Sequence, residues 1–474
     1  MAECFDLHVC LPADAPPSQI LTDEITPENW ARFRQYAALI REVRADDVTD
    51  SRIDQSFWLH LVSKAAGGQL NLLPRLQALS YALIHPHRTS ILLLLSPSLR
   101  KLSFYCLWRA ENWGPMERQE AAVGMLLRAA CTQCPQLDDL KLSMLEYPGP
   151  LRVAAEGLKF RLRRLELGSL EISDAATIQA LAEIVTLEQL YEIHVKFAST
   201  DRISVRGFRA LKDLSVICDA AEDVSRLLAC VVSPLESLEI CSFAPTSSSW
   251  ERELATLVPM VQKSLKSFMI ELLPEPTGAP PETLYLSQLV EHLLPLRKLE
   301  VFSLLVRDTA LITDDAAFEA ISKAYPRLTS FCLDGGLVTS SATLTTLRLF
   351  AQHCPSLHTL LLPHLADEGS TKLLPDGGSL PSQGALRRLS FYLMEGMAIR
   401  DAQLAATVIA WLFPNLDTQG ACRMVPDRKF TPASEDDELD EEQERDRDLK
   451  REVGRGVWNS ILDLVQQLRV QAEP

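Results

Sequence analysis

From a short apolar unit that recurs about every 28 residues, and from helical periodicity between its copies, the sequence predicts an α/β fold. The expected architecture is an irregular leucine-rich-repeat solenoid, a horseshoe with parallel strands on the concave face and helices on the convex face. "CPQLDDLKL" (134–142), "YPRLTSFCL" (325–333) and "CPSLHTLLL" (354–362) write the same apolar spacing. A catalytic motif has no reason to recur, whereas a unit that must stack on copies of itself does.

The unit reads Leu-x-x-[LIF]-x-[LIVF]. Its first leucines fall at Leu76, Leu99, Leu137, Leu162, Leu190, Leu211, Leu235, Leu265, Leu296, Leu328, Leu357 and Leu386, with a degenerate copy at Leu416. Side chains alternate across a strand, so the last two apolar positions point inward and the residues between and after them outward. Between copies the period is helical, as in Ile178, Leu181, Ile184 and Val185 or in Leu286, Leu289, Val290 and Leu293. Ser173 and Thr313 stand where helix N-caps are expected. The ninth position, often Asn or Cys in such repeats, holds Leu107, Leu145, Leu170, Phe243 and Leu273 among others, which predicts turns held mainly by apolar packing.

The ends differ from the middle. Residues 1–70 contain no repeat by this reading and form an N-terminal helical cap. Thr26 is its N-cap, Pro27 lies in its first turn, and Trp30, Phe33, Ala37 and Ile40 form its apolar stripe. The solenoid is expected over 71–420, an acidic disordered linker over 421–450 and an amphipathic helix over 451–474. Residues 434–448, "SEDDELDEEQERDRD", carry ten acidic and two basic residues, too charged to bury apolar surface. Trp458, Ile461, Leu462, Val465 and Leu468 follow as a helical stripe expected to dock back.

Composition narrows function. The chain has 474 residues and a formal charge of −16, which argues against nucleic-acid and anionic-membrane partners. No apolar run approaches the roughly 20 residues that span a bilayer, and the start lacks a signal-peptide pattern. A cytoplasmic or nuclear protein is the expectation. No GxSxG, HExxH, P-loop or dinucleotide fingerprint appears, so no catalytic residue and no cofactor is assigned. Cys131 and Cys134 form a CxxC, but Cys134 sits in the slot before Pro-x-Leu that Cys354 also fills, so both read as structural. His85, His87, His353 and His358 lack a ligand set at recognisable spacing, and no metal is assigned. Arginines in "RLRRLEL" (161–167) leave open a repeat protein that regulates a GTPase.

"LTDEITPENWARFRQYAALIREV" (21–43), "NLLPRLQALSY" (71–81), "LLLLSPSLRKLSF" (92–104) and "LFPNL" (412–416), with a late tryptophan-bearing helix, resemble the F-box/leucine-rich-repeat proteins of mushroom-forming (basidiomycete-type) fungi. The resemblance implies a substrate-recognition adaptor of an SCF-type cullin–RING ubiquitin ligase. In that family an F-box precedes the matched cap and binds Skp. The stretch ahead of the match here is too short for a full F-box, so Skp and cullin binding is expected only if an F-box is supplied. A stand-alone interaction scaffold is the alternative.

The outward columns give the expected binding surface, with a protein substrate or partner in the concave groove. Early in the chain they hold Ser80, Ser103, Lys141, Glu166, His194 and Ser215; later they hold Met269, Phe302, Cys332, Leu361 and Tyr392. The second set places apolar groups where solvent is expected, which marks partner sites. The cysteine reading predicts that reductant leaves the melting temperature unchanged and that purified protein carries well under one equivalent of metal. A stoichiometric metal lost on Cys131→Ser would contradict it.

Overall fold

Most ladder strands begin with a fork in which two successive backbone N–H groups donate to one carbonyl a coil earlier. Asp138 and Asp139 donate to Arg100 O, both at 3.0 Å, and Arg163 and Arg164 donate to Asp138 O at 2.8 and 3.0 Å. The same fork joins Glu188 and Gln189 to Arg163, Thr329 and Ser330 to Glu300, and Arg387 and Arg388 to His358. This computed structural model describes residues 7–10, 18–21, 25–45, 61, 64, 71–83, 89–106, 116–143, 148–168, 170–197, 205–243, 247–273, 283–338, 342–363, 365–366, 382–391, 401–418 and 441–472. They fall into two compact units. The first comprises Met1–Ile217 with Ala229–Ser233, and the second comprises Cys218–Leu228 with Pro234–Pro474.

In the first unit, β1 (Leu7–Cys10) and β2 (Ser18–Leu21) form an antiparallel pair. The ladder then runs through β3 (Glu42–Ala45), β4 (Ala78–Leu83), β5 (Lys101–Cys106), β6 (Asp139–Ser143), β7 (Arg164–Glu166), β9 (Gln189–Val195) and β10 (Asp213–Cys218), with the short β8 (Glu171–Ile172) beside β9. Adjacent ladder strands through β9 are parallel. The helices are α1 (Pro27–Ala37), α2 (Met116–Gln133), α3 (Gly149–Leu158) and α4 (Ala175–Ala182), and α2, α3 and α4 pack in succession. The leucines of the repeat point between strand and helix: Leu137, Leu140, Leu142, Leu162, Leu165 and Leu167 are all fully buried.

The second unit orders β11 (Ser237–Ser242), β12 (Ser267–Leu272), β14 (Val301–Ile312), β15 (Ser330–Val338), β17 (Thr359–Leu362) and β19 (Arg388–Phe391) as a parallel ladder. β13 (Thr283–Tyr285) pairs with β14, and β16 (Ala342–Thr343) pairs with β18 (Leu365–Ala366). Its helices are α5 (Ala221–Leu228), α6 (Ser247–Val261), α7 (Leu286–Leu293), α8 (Asp315–Ala324), α9 (Leu344–His353), α10 (Ala402–Leu412) and α11 (Glu441–Ala472), each packed on the next. The fold class is therefore the predicted one, a leucine-rich-repeat solenoid of parallel strands and helices.

Register corrects the sequence reading at two copies. Leu165 pairs with Leu190, so Leu190 is a second apolar position and the copy begins at Leu187. Phe268 pairs with Phe302, so that copy begins at Leu299 and not at Leu296. Leu296 fills the turn slot before the first leucine, where Leu299 N–H bonds Leu296 O, as Leu328 bonds Tyr325 and Leu357 bonds Cys354. At Leu299 a leucine in either slot keeps the pattern, whereas a copy beginning at Leu187 places Glu192 in the third slot, so the pattern pointed to Leu190. With both corrected, the copies at Leu137, Leu162, Leu187, Leu211 and Leu235 follow one another closely and evenly. Those at Leu299, Leu328, Leu357, Leu386 and Leu416 are also even, but more widely spaced. Helix length does not track this spacing strictly, since α3 in the closer set has ten residues, as α8 and α9 do, while α4 has eight.

Phe302 is consequently not on the outer face. It is 1% exposed. Its ring stacks on Phe268 at 6.2 Å and meets Tyr325 and Phe331 edge-on at 6.0 and 5.6 Å. Phe331 continues the cluster to Phe350 and Phe318. The Tyr325 hydroxyl is satisfied inside this core, donating to Leu293 O at 2.7 Å.

In the helix-to-strand turn, on the other side of the coil from the ninth position, polar side chains reach backbone carbonyls. Ser98 donates to Leu76 O at 2.9 Å, Thr186 to Leu162 O at 2.8 Å and Ser233 to Leu211 O at 2.6 Å. Gln383 donates to Leu357 O at 2.8 Å in the second unit. Each acceptor is the carbonyl of the preceding copy's first leucine.

The ends also differ from expectation. β3 makes residues 40–45 a coil of the ladder, with Gln77 and Ala78 forking onto Arg41 O, so the cap contains a repeat whose leucine slots hold Ile40 and Val43. Thr26 caps α1 as predicted, its hydroxyl accepting from Asn29 N at 3.1 Å. Asp174 and Asp314, not Ser173 and Thr313, cap α4 and α8, because a carboxylate satisfies the first N–H groups and also complements the helix dipole. Val185 lies past the end of α4 and is exposed. α11 starts at Glu441, inside the segment expected to be a linker; residues 419–440 lie outside the described residues. Trp458, Ile461, Leu462 and Val465 are buried, with Trp458 edge-on to Phe391 at 4.8 Å. Arg469 donates to Leu416 O and Phe413 O, both at 2.7 Å, so α11 completes the last turn as another coil would.

Phe302→Ala is expected to cost about 3–5 kcal/mol, as large-to-small changes in aromatic cores do. Native-state hydrogen exchange should show the loss centred on β12, β14 and β15, since coils contact only their neighbours. Wild-type stability in this variant would contradict the inward register.

Candidate interaction surfaces

Each unit leaves one face of its sheet toward solvent, and the register decides which side chains it carries. In the second unit one column runs Met269, Ser303, Cys332, Leu361 and Ser390 across β12, β14, β15, β17 and β19. The next column along the strands holds Cys241, Glu271, Leu305 and Asp334. Met269, Leu305, Cys332 and Leu361 are half-buried, whereas Ser303 and Asp334 are buried.

Of the five residues predicted for this surface, Met269, Cys332 and Leu361 share the column, Phe302 lies in the core, and Tyr392 lies outside the described residues. Leu305 was missed, because the slip to Leu296 ended the copy before reaching it. Placing the first leucine at Leu299 would have found it by alternation alone.

Charge on this face is uneven. Arg307 Nε donates to Glu271 Oε1 at 2.7 Å. Burial pushes the Cys241 thiol up to about 12, with Glu271 and Glu239 adding to the rise. Burial likewise raises Cys332 to about 11, against a hydrogen bond from Ser303. Cys134, the second cysteine of the CxxC, is held at about 11 by burial.

The first unit presents a different surface. Ser80, Ser103, Lys141, Glu166 and Tyr191 form its central column. His194, predicted for that column, lies instead opposite Glu171 on β8. The cause is the register: with the copy beginning at Leu187 the column residue is Tyr191, and Glu192, at φ 54°, then adds an extra outward residue before Ile193. Ser215 is buried.

Around Lys141 the polar groups interlock. Lys141 Nζ bonds Glu166, Arg164 Nη2 reaches Glu166 at 3.3 Å, and Asp139 lies within 3.8 Å of both Lys101 and Arg164. The Lys141 ammonium is over the Tyr105 ring at 5.6 Å, and the Arg164 guanidinium over the Tyr191 ring at 4.7 Å. Burial acts to lower the Lys141 pKa, but the bond to Glu166 outweighs it and holds the ammonium above its ordinary range. Burial pushes Asp139 up, against the pull of Arg164 and Lys101.

The arginines of "RLRRLEL" are engaged within the chain. Arg161 donates to Cys131 O, Arg163 pairs with Glu188 at 3.6 Å, and Arg164 belongs to the cluster above. His353 ends α9, His358 follows the first leucine of its copy, and His85 and His87 lie outside the described residues. Among the described residues no three His, Cys, Asp or Glu side chains are placed to hold a metal ion. Nor is any described helix long and apolar enough to cross a membrane.

No family model and no curated protein matches the chain. Among solved structures it is similar to a chain of the Rad7–Elc1 complex from yeast, with 14% identity and a TM-score of 0.40, covering 76% of this chain and 80% of that one. It is also similar to the TLR13 chain of a TLR13–ssRNA13 complex, with 16% identity and a TM-score of 0.38 over 68% of this chain. It spans 44% of that TLR13 chain.

A thiol at about 11 in place of 9.0 carries roughly a hundredfold less thiolate at pH 8. Cys332 is therefore expected to alkylate at least tenfold more slowly than free cysteine, read by peptide mass spectrometry. Modification at the free-thiol rate would contradict the burial seen here.

Proposed function

We propose that this chain is a protein-binding leucine-rich-repeat scaffold whose partner seats on the sheet face of the second unit. The observation that carries the reading is the group Met269, Leu305, Cys332 and Leu361, apolar residues on the solvent side of neighbouring strands. Pattern alone would put polar residues there, and clustered apolar groups at a surface mark partner sites. The resemblance of the sequence to F-box/leucine-rich-repeat proteins extends the proposal to a substrate-recognition adaptor related to SCF-type ubiquitin ligases.

Met269→Glu combined with Leu361→Glu is expected to leave the fold intact, because neither side chain belongs to the core set. Proximity labelling should identify a partner with the parent chain. Affinity for that partner should then fall about thirtyfold, near 2 kcal/mol, if both residues anchor it. Undiminished binding would overturn the surface assignment. For the adaptor role, the chain fused behind a functional F-box should bring the partner to Skp and cullin and support its ubiquitylation. Capture without ubiquitylation would leave a stand-alone scaffold.

A further inference from the structure

We propose that β3 is a self-association site, where the free edge of one copy pairs antiparallel with the same edge of a second copy about a two-fold axis at Val43. This edge shares no residue with the surface on the second unit and stands independently of it.

β3 is the terminal strand of its ladder, and among the described residues it pairs with β4 alone. Glu42 lies opposite Ala78, and Ala78 N–H donates to Arg41 O at 3.0 Å. Peptide groups alternate in direction along a strand, so Arg41 and Val43 turn theirs toward β4. Glu42 and Arg44 turn theirs to the open side. A row of such N–H and C=O groups is a template for another strand.

The apolar positions of this coil are incompletely covered. Ile40 and Val43 are half-buried, although the matching Leu76 and Leu79 of the next coil are 0% and 1% exposed. On α1 only Phe33 and Ala37 are buried, while Tyr36 and Leu39, which lead into the strand, are 48% and 70% exposed. An interior coil has a neighbour on both sides. Among the described residues this one has a neighbour on one side.

Charge selects the occupant. Antiparallel strands exchange both hydrogen bonds at alternate pairs, so Glu42 and Arg44 must stand in the bonded pairs. Two-fold axes at Glu42, at Arg44 or midway at Val43 meet this condition. An axis at Glu42 sets glutamate against glutamate, and an axis at Arg44 sets arginine against arginine, with like charges directly opposite. The axis at Val43 sets each Glu42 against Arg44 of the second copy. Within one copy Arg44 Nε already donates to Glu42 Oε1 at 2.7 Å, and the two side chains are 80% and 54% exposed for arginine and glutamate. Charges of alternating sign then meet on the outer face, while Val43 meets Val43 on the inner face as the close, non-hydrogen-bonded pair. A foreign strand would need the same charge order in reverse, which a second copy carries by symmetry.

The test is sedimentation velocity on the full chain from about 1 to about 200 µM, since so short an edge belongs with the small, weak interfaces. The parent should pass from monomer to dimer across this range. Amide exchange at Glu42 and Arg44 should slow with concentration, while that at Val43 stays unchanged. Glu42→Arg alone and Arg44→Glu alone should each weaken dimerisation at least tenfold, because each sets like charges opposite. An equimolar mixture of these two variants should restore it to within threefold of the parent, as should Glu42→Arg with Arg44→Glu in one chain. Arg128→Glu, on the exposed side of α2, should leave it within twofold. If an edge variant loses its fold by circular dichroism, Arg44→Pro replaces it; this deletes an edge N–H that β4 does not use and should weaken dimerisation as much. Three results would overturn the proposal: a monomer throughout the range, undiminished dimerisation of the single variants, or no recovery in the mixture and the double swap.

Discussion

Everything in this molecule depends on a carbonyl that its own coil cannot satisfy. At the start of most strands one backbone oxygen takes two N–H groups from the next coil, and in several copies the first leucine's oxygen takes a side-chain donor from the turn after it. Buried backbone groups left unpaired cost free energy comparable to a lost hydrogen bond. A single coil is therefore incomplete, and stacking is what completes it. The last coil meets the same demand by other means, since the Arg469 guanidinium supplies the donors that a further turn would have supplied.

That demand also explains why side-chain chemistry in the turns is so varied. Ser98, Thr186, Ser233, Gln383 and Arg469 share no feature beyond an N–H or O–H of suitable reach. An Asn ladder solves the problem with one residue type at one position. Here the first leucine's carbonyl is reached from different offsets in different copies. Exposed residues at the fork carry alternating signs, as in Arg163, Glu188 and Lys212, where Glu188 lies 3.6 Å from Arg163 and 2.9 Å from Lys212. Each exposed pair contributes little to stability, but a slipped register would set like charges side by side.

Once inward positions are committed to leucine and phenylalanine, the outward columns are free to differ, and they do. In the second unit they place Met269, Leu305, Cys332 and Leu361 together and raise nearby thiols by burial. In the first they assemble Tyr105, Lys141, Glu166, Arg164 and Tyr191 into one charged and aromatic cluster. The two sets of side chains differ in kind, although both stand on the same repeated strand.

The repeat, the alternation of strand and helix, the Thr26 cap and the turn role of Cys134 and Cys354 were legible in the sequence, because each follows from local spacing or local hydrogen bonding. Register at Leu187 and Leu299 was not. At Leu299 the leucines of the turn slot and the first position satisfy the same pattern, and at Leu187 the extra residue Glu192 breaks it, so only pairing with Phe268 and Leu165 reveals the register. That ambiguity moved Phe302 from the core to the surface in the sequence reading and hid Leu305. Likewise the coil at Ile40 and Val43 carries no leucine, and only the fork from Gln77 and Ala78 onto Arg41 reveals it. Sequence by itself determined that coils would stack, since apolar periodicity is a property of neighbours along the chain. Which side chains share a face was decided by the tertiary structure, since it depends on hydrogen bonds between strands that a whole coil separates in the chain.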